Sequence, residues 1–303
     1  MAKWVAMGAA AVDTVVKVSH LPKPDEIVYP ESINCYPGGS SANVAVGLRR
    51  LGDSVTFLGK IGDDESGKII CESFQTDGVI TEYLKLENGK RSGGAFVAVD
   101  TNGERVIYSL GGTTLYESWD ELDVDAFDGM EGLYIGETFS EVGCKAALLA
   151  KEKKVPVFFG PGGIMCSYGR EYLSSILQAT DYLLVNLPEA FSLSGCQTKE
   201  SAIRCLLDTG VKDVVLTEGK NGAGCYCREN SYFVPAYSVR AVDTTGAGDA
   251  FTAGFLNGTL RGWPVERSLR FGSACAAAAI QKTGARSSMP TWKQMSALDR
   301  EKD

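Results

Sequence analysis

The chain has little of what several function classes require. Among its 303 residues there is one histidine, His20. Cysteines number nine, and most stand singly in apolar segments. Cys225-Tyr226-Cys227 is the one close pair, and His20 lies far from it in sequence, so no cysteine–histidine metal cluster is expected. Positive charge is short as well: 30 Lys and Arg stand against 38 Asp and Glu, a net charge of −8. No basic face is on offer for nucleic acid. No apolar run approaches the roughly 20 residues that span a bilayer, and residues 1–8 are too short for a secretory leader. Scattered cysteines with no leader read as free thiols in a reducing, cytoplasmic setting. The sequon Asn257-Gly258-Thr259 falls in an apolar helical stretch and is set aside. What remains is 44% hydrophobic and 22% charged, an ordinary globular composition with enough length to bury a full core.

One stretch organises the rest. Asp243-Thr244-Thr245-Gly246-Ala247-Gly248-Asp249 is followed by Ala250-Phe251-Thr252-Ala253-Gly254-Phe255. The small residues allow a tight loop with uncovered backbone N–H groups, and the apolar ones suit a buried helix. Such a helix start holds free donors and partial positive charge, which makes it an anion site. Asp249 would repel an anion there unless it faces a hydroxyl that attacks a phosphoryl group held by the loop, the geometry of a kinase. A dinucleotide fingerprint fails, because Phe251 stands where Gly or Ala is needed. A capped helix start without a ligand is the plain alternative. A second glycine-rich stretch, Pro37-Gly38-Gly39-Ser40-Ser41-Ala42-Asn43, weighs against it. There the glycines permit close approach to a ligand, Ser40 or Ser41 can cap, and Asn43 can donate and accept toward a polyol. The stretch from Gly62 to Lys68 nearly matches a Walker A loop. Ile69 replaces the Mg²⁺-binding Ser or Thr, however, and three acids fill the loop, so it reads as the acidic start of a helix ending near Asp77-Gly78.

Taken in order, residues 3–8 read as a buried parallel strand with Asp13 beyond its carboxyl end. Alternating patterns at 12–18 and 27–35, broken by Pro22 and Pro24, and at 93–99 and 104–109 around Asp100-Thr101-Asn102-Gly103, predict a small antiparallel β lid. Strands are expected at 54–59, 132–136, 155–159, 181–185 and 211–217, with helices between. That rhythm predicts an α/β fold with a doubly wound, mostly parallel sheet flanked by helices. Polar residues then stand just after strand ends, where such sheets bind ligands: Glu137, Asn186 with Glu189, and the run from Thr217 to Gly222. Further helices are expected from the 243–249 loop to about Leu260, after Pro264, and over 289–303. No repeat, low-complexity segment or linker interrupts residues 1–303, so one domain is expected, with lid segments about 12–36 and 91–111 inserted in it.

The two glycine motifs, each opening a helix, appear in order with the lid strands and Asn186-x-x-Glu189. In this the chain resembles the ribokinase-like (PfkB) carbohydrate kinase family over nearly its full length. The resemblance implies that Asp249 is the catalytic base and that Gly246, Ala247 and Gly248 form an anion hole. It implies that Asp13, Gly39, Asn43 and Glu137 hold substrate hydroxyls. Asn186 and Glu189 would organise Mg²⁺ and phosphates, and Asn186, Thr217, Gly219 and Gly222 would border the nucleotide. A monovalent cation such as K⁺ is implied beside the anion hole, near Asp243, Thr245, Ser288 and backbone from 279 to 284. ATP and Mg²⁺ are the implied cofactors and a small sugar the implied acceptor. The ribokinase-type Gly-Gly-Lys-Gly reads Gly38-Gly39-Ser40-Ser41 here. Where some hexose and ketoacid kinases carry Asp-Pro-Asn-x-Arg, this chain has Gly160-Pro161-Gly162-Gly163, so the sugar itself stays open. A nucleoside kinase of the same fold is the alternative for the acceptor, and a sugar-binding regulator without catalysis is the alternative for function. A regulator would tend to lose the aspartate or the glycine loop, and both are intact. The lid, apolar on one face, is expected either to close on substrate or to pair with the lid of a second subunit.

Overall fold

In the first strand, Trp4, Val5, Ala6 and Met7 are all buried. Val5 and Met7 join one apolar core and Trp4 and Ala6 the other. A strand that buries both faces needs helices on both sides, and the rest of the chain supplies them. The computed structural model describes residues 1–299. β1 (Lys3–Met7) leads out into β2 (Ala11–Lys17) and β3 (Ser32–Gly38), and α1 (Ser40–Arg50) returns to the core. β4 (Ser54–Leu58), β5 (Lys60–Gly62), α2 (Glu65–Asp77), β6 (Lys85–Glu87) and the hairpin of β7 (Gly93–Val99) and β8 (Arg105–Gly111) follow. Next come β9 (Gly132–Ile135), α3 (Ser140–Glu152), β10 (Val157–Phe159) and three short helices, α4 (Gly162–Ser167), α5 (Gly169–Tyr172) and α6 (Ser174–Gln178). β11 (Tyr182–Asn186), α7 (Leu187–Ser194), α8 (Lys199–Leu207), β12 (Asp213–Thr217), β13 (Ala223–Tyr226) and β14 (Ser231–Val234) complete the sheet. The chain then runs through α9 (Ala247–Leu260), α10 (Val265–Ala279) and α11 (Trp292–Asp299).

The main sheet has the order β14-β13-β12-β11-β10-β9-β1-β4. The six strands from β4 to β12 pair parallel, and β13 and β14 add antiparallel at one edge. From β1 the chain builds toward β4 on one side, then toward β9 and β12 on the other. Strand order therefore reverses between β1 and β9, and a crevice opens at the carboxyl ends there.

Several boundaries differ from the sequence reading. The strand expected at 27–35 begins at Ser32, because Pro22, Pro24 and Pro30 each lack an N–H and fix φ in the segment before it. The strands β13 and β14 were not foreseen from the sequence. Both are four residues long, and Gly222 and Gly224 at the start of the first weaken any strand pattern there. The helix expected over 289–303 covers Trp292–Asp299, and residues 300–303 lie outside the described residues. The acidic start at Asp64 is a true cap: its side chain accepts from the Gly67 N–H, and Gly78 closes α2 in the left-handed region.

The lid is a four-stranded sheet, β3-β2-β7-β8. Its outer pairings are antiparallel, but β2 and β7 run parallel. Both of these strands start at the core and run outward, with Ala11 beside Gly93. β8 is an exposed edge, and Ile33, Ile107 and Tyr108 are 60%, 55% and 61% exposed.

Candidate active site

α1 begins directly over the crevice between β1 and β9. Its N-cap, Gly39, has φ 88°. Ser41 points down between the two strand ends and donates to Glu137 Oε2 at 2.8 Å. A Cβ at Gly8 or Gly136 would collide with the Ser41 hydroxyl, which is why both strand ends carry glycine. From the preceding position Ser40 Oγ donates to Asp249 Oδ1 at 2.6 Å, and one turn on Asn43 Nδ2 donates to Asp249 Oδ2 at 2.8 Å. The first turns of α1 and α9 thus meet at one carboxylate. Neither serine caps α1, contrary to the sequence expectation, because both hydroxyls are directed to carboxylates across the crevice.

Four acids converge here. Burial pushes the Asp249 carboxyl above its ordinary value, while Ser40, Asn43 and the nearby Arg286 guanidinium pull it down. Burial also raises Glu137 and Glu189, each further raised by the Asp249 charge. Asp13 is raised by burial and by Asp249, against the pull of Arg286. Asp13 fits because its strand neighbour Gly38 has no side chain to meet its carboxylate. A cluster of carboxyl groups raised by burial in a cleft, three of them raised further by Asp249, is the arrangement expected where a proton is to be moved.

Two cavities open at the start of α9, and Asp249 lines the smaller of them. One, of about 160 Å³, is lined by Ser40, Tyr134, Asn186, Glu189, Thr217 and Asp249. The other, of about 500 Å³, is lined by Gly219, Gly222, Tyr237, Ala247 and Ile280 among others. They share Thr217, Gly248 and Phe251, so they join at the start of α9. Gly246 caps that helix with φ 78°, and the Ala247 N–H turns back to the Thr244 carbonyl at 3.2 Å. A Cβ on Gly246 would lie 2.9 Å from Ala285 Cα, so the loop after α10 packs against this turn.

Asn186 and Glu189 form a reciprocal capping box, each side chain accepting the other's backbone N–H at 2.9 Å. Both also line the smaller cavity. An amide and a carboxylate are oxygen donors of the kind a hydrated Mg²⁺ takes, most of its shell coming from water and phosphate. Asp243 accepts from the Thr245 N–H at 2.9 Å and the Gly284 N–H at 2.8 Å. Burial would raise its carboxyl, and those bonds hold it below the ordinary value. Ser288 Oγ donates to Ala285 O at 3.2 Å, and Thr245 Oγ1 accepts from Arg105 of the lid at 3.4 Å. A carboxylate and backbone oxygens suit a monovalent cation, whereas the Arg105 charge opposes one.

The structure therefore brings Asp249, Asn43, Gly39, Asp13 and Glu137 to one crevice and Asn186, Glu189 and Thr217 to the adjoining cavity. Gly219 and Gly222 lie in the larger cavity, and Asp243, Thr245 and Ser288 belong to the supporting loop. Ser40, Tyr134 and Arg286 were missed. Tyr134 sits in a fully buried strand and reads as core, and Arg286 follows no recognisable motif.

Comparison with known proteins agrees with this geometry. The pfkB family carbohydrate kinase pattern matches residues 1–292. An uncharacterized sugar kinase of Archaeoglobus fulgidus is 34% identical over 81% of this chain and 98% of its own length. A 5-dehydro-2-deoxygluconokinase of Clostridium perfringens is 30% identical over 95% of this chain and 89% of its own. Arabidopsis thaliana ribokinase, solved with ribose and ATP, superposes with a TM-score of 0.89 at 28% identity, covering 98% of this chain and 99% of that one. With a family pattern spanning nearly its whole length and a crevice assembled from both glycine motifs, the chain belongs to the pfkB family of carbohydrate kinases.

Proposed function

We propose that the protein moves the γ-phosphoryl group of ATP to a hydroxyl of a small sugar, with Asp249 as the proton acceptor. The observation that carries this is the meeting of both glycine-rich helix starts on the Asp249 carboxylate, where two cavities join. The sugar hydroxyl attacks phosphorus, the bond to the ADP oxygen breaks, and the hydroxyl proton passes to Asp249. Most of the rate comes from positioning and from neutralising charge, because a loose phosphoryl transfer asks little of the base early on. In this reading the turn at residues 246–248 cradles the transferring group, with the Gly246 and Gly248 N–H groups as its donors, since the Ala247 N–H is taken by the Thr244 carbonyl. ATP occupies the larger cavity with its phosphates toward Gly248. Asn186 and Glu189 would hold a hydrated Mg²⁺, which would supply neutralisation of phosphate charge. K⁺ beside Asp243 is the finer reading of the supporting loop, and nine free thiols support a cytoplasmic setting.

The test is a coupled ATP-consumption assay across pentoses, hexoses, ketoacids and nucleosides. Activity confined to nucleosides would replace the sugar reading. With the preferred acceptor, Asp13→Ala and Asn43→Ala should each raise the acceptor KM about 10–100-fold, the cost of one or two lost buried hydrogen bonds, with little change in the ATP KM. Equal effects on both constants would place these residues outside the acceptor pocket.

The lid supports a second reading of assembly. One face of it carries Ile33, Val106 and Tyr108, which the strand register sets side by side and leaves exposed, on a sheet with open edges at β3 and β8, and such a face is covered in many proteins by a second copy. A homodimer through the lid should sediment at twice the monomer mass, and Tyr108→Asp should shift it to monomer. A wild-type chain that stays monomeric at every concentration would rule the pairing out.

A further inference from the structure

Arg286 lies outside both glycine motifs and is 2% exposed. A guanidinium stays charged when buried, so it needs partners on every side. Nε donates to Asn43 Oδ1 at 3.3 Å, Nη1 to Ser73 Oγ at 3.0 Å and Nη2 to the Gly38 carbonyl at 2.6 Å. The Phe74 ring centroid lies 5.1 Å from its Cζ. These partners come from α1, α2 and the end of β3. Burial lowers its pKa to about 10, with Asp77, Asp13 and Asp249 opposing that fall and Arg50 adding to it. It therefore remains protonated at neutral pH.

Its own backbone is fixed independently. Arg50 Nη1 donates to the carbonyls of Arg286 at 2.9 Å and Met289 at 3.1 Å, and Arg50 pairs with Asp77 at 2.6 Å. A buried ion network of this kind gains little stability over apolar side chains of the same volume, so its contribution is better sought in geometry. The two ends of an asparagine amide have nearly the same shape. Here one end faces a guanidinium and the other a carboxylate. The reversed amide would set Nδ2 against Arg286 and Oδ1 against Asp249, two repulsions where there are now two bonds.

We propose that Arg286 is a positioning residue that holds the Asn43 amide oxygen and so keeps the Asn43 nitrogen on Asp249. This rests on the reading of Asn43 and Asp249 as the acceptor side of the site. Through Arg286 the loop that packs under the α9 turn also sets the orientation of the acceptor pocket.

The experiment compares Arg286→Met, Arg286→Lys, Asn43→Ala and the double variant Arg286→Met/Asn43→Ala in the acceptor screen. A wild type that consumes ATP with no acceptor would overturn the kinase reading and this inference with it, whereas an active wild type isolates Arg286. Arg286→Met should lower acceptor kcat/KM about 10–100-fold while the ATP KM stays within about twofold. Added to Asn43→Ala, it should cost less than about twofold more, because residues acting through one another are not additive. Wild-type acceptor kinetics, an equal rise in ATP KM, or full additivity would each overturn the proposal. If the Met variant does not fold, Arg286→Lys decides. An ammonium cannot span Asn43, Ser73 and Gly38 at once, so the same kinetic split is expected at a near-native melting temperature. A Lys variant with wild-type kinetics shows that the geometry of the fork is not what matters, and one that also fails to fold assigns Arg286 to stability; either overturns the proposal.

Discussion

Asp249→Asn should lower kcat by about 10²–10⁴-fold while nucleotide affinity is kept, the range expected for loss of a general base. The substitution conserves shape, so the effect is chemical. The amide oxygen of the new side chain can still accept from Asn43 Nδ2, which Arg286 keeps in place, and its amide nitrogen can donate to the Ser40 hydroxyl, which accepts as readily as it donates. Stability should move the other way. Burial raises the Asp249 pKa in the folded protein, so between its ordinary value and that raised value the folded chain binds more protons than the unfolded one. Folding free energy is therefore lost as pH rises through this window, and the ionised carboxylate is a net cost at neutral pH. The Asn variant should melt no lower than wild type at pH 7. Retention of more than about a tenth of wild-type kcat would remove Asp249 from the role of base.

Gly39→Ala should be the most damaging small substitution in the crevice. Gly39 has φ 88°, and a Cβ there would lie 2.6 Å from the Ala9 carbonyl, 3.0 Å from Ala10 Cα and 3.1 Å from Ala11 N. All three are backbone atoms of the turn into the lid, so none can move aside as a flexible side chain would. Strain from the left-handed backbone and from overpacking each cost about 1–3 kcal/mol, or about 2–6 kcal/mol together. For a domain of this size that is a fall of roughly 3–9 °C in Tm. The kinetic loss should be larger than the stability loss implies. Gly39 sets the start of α1, and Ser40 and Asn43, the two donors to Asp249, are its next residues in the same turn. A displacement of about 1 Å there can cost about 10²-fold in rate. Thermal melting and acceptor kinetics on the same preparation check both halves. A variant with native Tm and native kcat/KM would mean that α1 can start without this glycine.

The residues around Asp249 show what could be read from the chain and what could not. The apolar runs that became β1, β9, β11 and β12, the Asp64 and Gly78 boundaries of α2, and the two glycine-rich helix starts all follow from local rules. Each depends on periodicity, capping or backbone freedom within a few residues, and such signals survive in one dimension. Asp249, Asn43 and Glu137 were legible for the same reason, since they stand at strand ends or in the first turn of a helix. Ser40 and Ser41 were visible too but were assigned the local task of capping. Folding gave them long-range partners instead, because the crevice between β1 and β9 faces them with Asp249 and Glu137. The parallel pairing of β2 with β7 depends on both strands leaving the core in the same direction, which no alternation pattern encodes. Arg286 is the fullest case. In the sequence it is one more charged loop residue, whereas in the fold α1, α2 and β3 close around it. A buried charge is stable only where distant elements deliver its partners, so only the tertiary structure could decide that this arginine faces Asn43.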